Sequence, residues 1–248
     1  MKDIIFNHKS IRKYKNDAIP KDILNNILKA GIRASNTGNM QVYSIIVTQD
    51  KEIKNQLLPL HFGQEMVKQA PVVLTFCADF NRFNKWCEMR NANPGYDNFL
   101  SFYTATVDAV IAAQNVALVA EDEGLGICYL GTTNYTADKI IDVLGLPKGV
   151  VPVTTLVIGY PDENPEITER LPDDAVIHYE KYTDFTEEKI NEIYAETENS
   201  DFTKGLIEEN KTENLAQVFT QKRYTKENNE TFSKILLDVI KKQGFLDD

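Results

Sequence analysis

His8, Ser10 and Arg12 put an imidazole, a hydroxyl and a guanidinium within five residues. If the chain is extended there, all three share one face; if it is helical, His8 and Arg12 still do. Such a cluster can grip a phosphate, with arginine supplying the bidentate fork. A solvated basic segment from Lys9 to Lys15 is the other reading, and the residues alone leave both open. Ala34-Ser35-Asn36-Thr37-Gly38-Asn39-Met40-Gln41 is a polar loop dense in turn formers. It can surround a polar heterocycle, or simply precede a strand. Gly131 closes the apolar run Ile127-Cys128-Tyr129-Leu130. A glycine at a strand end lets a flat ligand meet backbone N–H groups. Arg170 is a lone cation among Glu166 and Glu169, where an exposed ion pair would be worth little.

These residues need elements to position them. Residues 102–120 are mostly small or apolar and read as a buried helix. Asp108, Asn115 and Asp122 recur every seven residues and draw one polar edge along it. Ala109, Ala113, Ala117 and Ala120 form a small face that lets a second helix approach closely. Gly124 and Gly126 are expected to end the helix before a short strand at 127–130. Pro20 opens a helix at 21–33 with Ile23, Leu24, Ile27 and Leu28 as its stripe. Strands are expected at 42–48, 71–78 and 151–159, and short helices at 3–7, 50–58, 64–69 and 136–144. Phe80, Phe83, Trp86 and Met89 recur every third residue and read as core packing. Beyond Phe185, helices alternate with polar linkers, and 200–213 is charged and weakly patterned. A last amphipathic helix at 229–242 carries Phe232, Ile235, Leu236, Val239 and Ile240 on one face, a docking pattern.

The 248 residues allow one large domain or two small ones, and 42% hydrophobic residues argue against wholesale disorder. A net charge of −10 argues against a general nucleic-acid binder, whose affinity comes from phosphate neutralisation. No charge-free apolar run approaches membrane-spanning length, and Met1-Lys2-Asp3-Ile4 does not begin a signal peptide. Cys77, Cys87 and Cys128 are odd in number and form no Cys-x-x-Cys pair. That disfavours a disulfide framework or a zinc site and suits a reducing cytoplasm. His61 and His178 lack a partner motif and read as surface histidines.

Six segments in order and spacing resemble the nitroreductase family, and most closely its oxygen-insensitive nitroreductase and flavin-reductase branch. They are His8-Lys9-Ser10-Ile11-Arg12, Ala34 to Gln41, Gly63-Gln64, and Phe76-Cys77-Ala78-Asp79-Phe80-Asn81-Arg82. Gly124 to Gly131 and Asn164-Pro165 with Arg170-Leu171-Pro172 complete the set. The likeness spans roughly residues 1–182, an FMN-binding core, and leaves 183–248 as a helical C-terminal extension. It implies an α+β sandwich on a mixed, mainly antiparallel sheet flanked by helices. It further implies a homodimer with FMN at the subunit interface and the central alanine-rich helix within that interface.

By the same resemblance, His8, Ser10, Arg12 and Arg170 hold the FMN phosphate and ribityl end. Asn36, Thr37 and Asn39 face the flavin from the partner subunit, and Gln64 reaches the ribityl chain or the ring's polar edge. Tyr129, Leu130 and Gly131 lie along the ring, with a backbone N–H toward N5 or O4. Two features depart from the branch. Thr168 stands where a lysine is common, which removes one phosphate counter-charge. Only Lys204, Lys211, Lys222 and Arg223 occur where the branch often has an arginine-rich NADPH loop. The implied activity is passage of two electrons from NADPH or NADH, by ping-pong hydride transfer, to nitroaromatics, quinones or flavins. It needs no catalytic acid or base and no metal. The rivals are a flavin reductase serving a partner enzyme and a flavin-binding sensor or storage protein that does not turn over.

Overall fold

A computed structural model describes residues 2–246; Met1, Asp247 and Asp248, which belong to the expected N-terminus and C-terminal extension, lie outside the described residues. The chain divides into two compact units, Met1–Glu166 with Phe232–Asp248, and Ile167–Thr231.

The first unit begins with α1 (Lys2–Phe6), α2 (Lys21–Ile32), β1 (Tyr43–Thr48), α3 (Lys51–Leu60) and α4 (Met66–Gln69). It continues through β2 (Val72–Asp79), α5 (Asn81–Glu88), α6 (Phe99–Asp122), β3 (Gly126–Leu130), α7 (Ala137–Leu144) and β4 (Val150–Gly159). The strands form one sheet in the order β1-β2-β4-β3, and every pairing between them is antiparallel. The expected mixed character reduces, among the described residues, to an isolated parallel bridge between Ser10 and Ile127.

Alternation along the strands sends side chains into two cores, one on each sheet face. Val72, Leu74, Phe76 and Ala78 join a core built with α2 and α6, whereas Val73 joins Leu57, Met66, Val67 and Ile140 on the other side. Asp50 caps α3 by accepting from Ile53 N at 2.9 Å, and Asn98 caps α6 by accepting from Ser101 N at 3.1 Å.

The 24-residue α6 is the spine of this unit. By length and composition it could cross a membrane, but Ala105, Asp108, Ala109, Ala113, Val116, Ala117 and Ala120 are buried inside the fold. Here the expectation of an alanine face at a subunit interface is corrected. That face is filled within one chain. A Cβ on Gly31 of α2 would lie 2.6 Å from Val116 Cγ2 and 3.3 Å from Ala112 O. The small residues therefore bring α2 against α6, and the first half of α6 leaves an apolar face outside, with Leu100, Tyr103, Val107 and Val110 exposed.

Two other expectations change. Gly126 is the first residue of β3 and does not end the helix. Its missing side chain makes room for Ile11, whose Cγ1 would lie 2.6 Å from a Cβ there. Along α5, Phe80 and half-buried Phe83 pack, but Trp86 and Met89 are exposed. Residues three apart slip back about 60° per step on a helix, so the last two leave the buried face.

The second unit holds α8 (Glu187–Asn199), α9 (Asp201–Asn210), α10 (Leu215–Val218) and a π-helical turn at Phe219–Arg223. Thr186 and Ser200 cap α8 and α9. Helix α11 (Lys226–Lys242) begins in this unit and ends in the first, where Val239, Ile240 and Phe245 enter the α6 core.

Candidate functional site

Residues 8–15 run extended along the end of the sheet. Ile11 N donates to Ile127 O at 2.9 Å, and Lys15 N to Tyr160 O at 2.9 Å. Alternation buries Ile11 and leaves Arg12 exposed, with His8 and Ser10 half-buried. The three donors thus lie beside β3. Glu163 fixes the backbone by accepting from Arg12 N at 2.5 Å and Lys13 N at 3.1 Å. Among the described residues the Arg12 side chain makes one hydrogen bond, a long one of 3.5 Å from Nη1 to Ser10 O. His8 Nδ1 lies 2.7 Å from Glu121 Oε1 near the end of α6. Lys9 Nζ donates to Asn164 Oδ1 at 3.0 Å.

β3 carries Tyr129 and Leu130 toward Gly131. Tyr129 is half-buried, and its hydroxyl donates to Gln114 Oε1 at 3.4 Å. Burial raises its pKa, with Glu121 adding to the shift. Burial also raises Cys128, and Arg12 partly opposes it. Gly131 is exposed, and among the described residues nothing beyond its chain neighbours lies within 4 Å of where its Cβ would stand. Gln64 joins this end of the strand, its Nε2 donating to Thr132 Oγ1 at 3.5 Å. Thr136 Oγ1 donates to Leu60 O at 2.8 Å and ties the two turns together. Phe62, in the left-handed region at φ 56°, stacks toward Tyr135 at 6.0 Å, and Tyr135 stacks on Phe232 at 4.3 Å.

Asn36, Thr37 and Asn39 lie elsewhere. Their loop is held by buried Asp108, which accepts from Thr37 N at 3.0 Å and from Thr37 Oγ1 at 3.1 Å. Gly38, Asn39 and Gln41 all have positive φ, of 56°, 55° and 53°. Such a backbone persists only where its surroundings fix it. Asn36 Oδ1 accepts from Gln41 N at 3.2 Å, and Arg82 Nη2 donates to Gln41 O. Asp108 anchors this loop and Glu121 anchors His8, thirteen residues apart on one helix, or about 20 Å. One chain therefore does not bring Asn36, Thr37 and Asn39 to His8, Ser10 and Arg12. Arg170 lies in the second unit, where its Nη1 donates to Thr168 O at 2.8 Å and Glu169 O at 3.2 Å.

The largest departure from the sequence reading is His61. It is fully buried, not a surface histidine, and its Nδ1 lies 2.8 Å from Thr132 Oγ1. Burial disfavours the imidazolium and pushes its pKa down to about 4. Glu121, Glu163 and Thr132 were also not singled out. Only tertiary contacts, more than seventy residues distant in sequence, give them their places.

A family model described as the nitroreductase family matches residues 5–160. An FMN reductase (NADPH) from Bacillus subtilis (strain 168) is 30% identical over 255 residues, covering 98% of this chain and 97% of its own length. A Bacteroides fragilis NCTC 9343 protein of known structure is 52% identical, with TM-score 0.98 over 99% of this chain and 100% of that one. The NADPH:FMN oxidoreductase from Vibrio harveyi, solved in complex with NAD+, is 27% identical, with TM-score 0.84 over 99% of this chain and 98% of that one.

Proposed function

The chain belongs to the nitroreductase family, and on that premise we propose that it is an FMN-dependent oxidoreductase passing two electrons from NAD(P)H to nitroaromatics, quinones or free flavin. The observation that carries this reading is the extended segment His8–Arg12 laid against β3, with Gly131 just after the strand facing open space. The donor set fits FMN. An exposed guanidinium, a hydroxyl and an imidazole suit a phosphate and its ribityl neighbours, and the open glycine suits a flat ring. FMN, when bound, supplies the two-electron chemistry, and the protein supplies position and polarity. Arg12 and Ser10 would hold the phosphate, with the His8 ring, oriented by Glu121, beside them. Glu163 holds the backbone of residues 12–13, so its carboxylate is already hydrogen-bonded. Gln64, Tyr129 and Leu130 would border the ring, and no side chain is assigned to acid or base work.

The donor and the acceptor use one site in turn, so initial-rate lines for NAD(P)H against a nitroaromatic or quinone should be parallel. Purified protein should be yellow and release FMN, not FAD, on heating. A colourless protein that gains no flavin absorbance with added FMN removes the reading, and intersecting lines remove the single site. The Bacillus likeness favours a second reading in which free flavin is the preferred acceptor. Fast NAD(P)H oxidation with FMN and poor rates with nitro compounds would select it.

The same proposal includes a homodimer. Leu100, Tyr103, Val107 and Val110 leave one face of α6 apolar and exposed, a feature that calls for a partner. The second set, Asn36, Thr37 and Asn39, would reach the phosphate set only from a second copy. Light scattering should give about twice the 28.2 kDa of one chain. A monomer that retains FMN contradicts this placement. The three cysteines are free and buried, which suits a reducing cytoplasm as the proposed location.

A further inference from the structure

His61 follows α3 and is completely enclosed. Its Nδ1 meets Thr132 Oγ1 at 2.8 Å, while its Nε2 is buried with no hydrogen-bond partner among the described residues. The same Thr132 oxygen receives Gln64 Nε2 at 3.5 Å. A threonine hydroxyl has one proton to give. With the Gln64 amide N–H on that oxygen, the acceptor within reach of the hydroxyl proton among the described residues is His61 Nδ1. The ring's own proton therefore sits on Nε2, where it has no acceptor. The low pKa that burial imposes keeps this ring neutral, as an acceptor at Nδ1 must be.

A buried N–H without a partner costs free energy, and an apolar side chain would fill the same space without that cost. What the imidazole adds is an acceptor for Thr132. With that bond made, Thr132 presents its lone pairs to Gln64 and draws the amide N–H group toward itself. Gln64 Oε1 is then the end left to face a ligand. The flavin ring has one N–H on its polar edge, and the ribityl chain has hydroxyls; both are donors that an amide oxygen can accept. Leu60 O, bonded to Thr136, holds the two turns together at the residue before His61.

We propose that His61 is a positioning residue, which acts through Thr132 to set Gln64 as a hydrogen-bond acceptor toward the bound flavin. The inference rests on the proposed function, because it takes Gln64 as facing FMN.

The test is a double-mutant cycle on apoprotein, with FMN uptake read by quenching of flavin fluorescence. His61→Leu should weaken FMN binding about tenfold, the scale of one hydrogen bond correctly offered. Adding His61→Leu to Gln64→Leu should cost almost nothing more, since both break one relay. His61→Asn, whose amide oxygen can replace Nδ1 as acceptor, should recover most of the affinity. If His61→Leu does not fold, the isosteric Thr132→Val cuts the same relay and takes its place in the cycle. Additive losses, or wild-type affinity in the variant that cuts the relay, overturn the role of His61. A wild-type protein that binds no FMN overturns the functional reading, and this inference with it. Wild-type binding with additive losses overturns the relay alone.

Discussion

Phe245→Ala should cost about 3–5 kcal/mol of folding stability, the usual price of emptying a buried aromatic site. Phe245 is 1% exposed and lies 5.8 Å from the Phe102 ring at the start of α6. Val239 and Ile240 enter the same core from the last turns of α11. Alanine there removes the ring's contacts with Phe102 and leaves a cavity that tightly packed neighbours fill only in part. Domains of this kind have about 5–15 kcal/mol to lose, so the expected loss is a large share of the total. Urea unfolding should show a lower midpoint at an unchanged slope. Leu237→Ala, on an exposed position of the same helix, should change stability by about 0.5 kcal/mol or less. A loss below about 1 kcal/mol at Phe245 would mean that the C-terminal segment does not dock on α6 as described.

That docking was legible in the sequence, and it shows where legibility ends. Phe232, Ile235, Leu236, Val239 and Ile240 mark one face of α11 by period alone, and Leu236, Val239 and Ile240 do pack on the α6 core. The α6 helix and β3 were legible for the same reason, since a long apolar run and a short one differ in length and in flanking glycines. What period cannot supply is the identity of the neighbour. The alanine face was correctly seen as a close-packing surface, but its partner is Gly31 within the chain. His61 shows the limit more sharply. A lone histidine after a helix has no local signal of burial, because Thr132, which contacts its ring, lies 71 residues away in sequence. Asp108 was placed on a polar edge, yet its role in fixing the Thr37 turn depends on a contact 71 residues away. The donors of the candidate site were legible because three of them lie within five residues. Glu121 and Glu163, which orient those donors, were not.

Arg12→Ala should weaken FMN binding to the apoprotein by about 1.5–3 kcal/mol, the usual contribution of a hydrogen bond to a charged group. At about 1.4 kcal/mol per tenfold, that is roughly a 10- to 100-fold rise in the dissociation constant. The side chain is exposed and has one long contact, to Ser10 O at 3.5 Å. Its charge is therefore not committed to the fold. The backbone bond from residue 12 to Glu163 survives in the alanine variant, so stability should change by about 0.5 kcal/mol or less. That separation makes the measurement decisive, because a loss of flavin cannot then be attributed to unfolding. Lys9 cannot substitute freely, since its ammonium is engaged by Asn164 Oδ1 at 3.0 Å. Arg12→Lys should recover only part of the loss, because lysine restores the charge without the planar fork. Titration of the three apoproteins with FMN checks the order. Equal affinity across wild type, Arg12→Lys and Arg12→Ala would place the phosphate away from the segment beside β3.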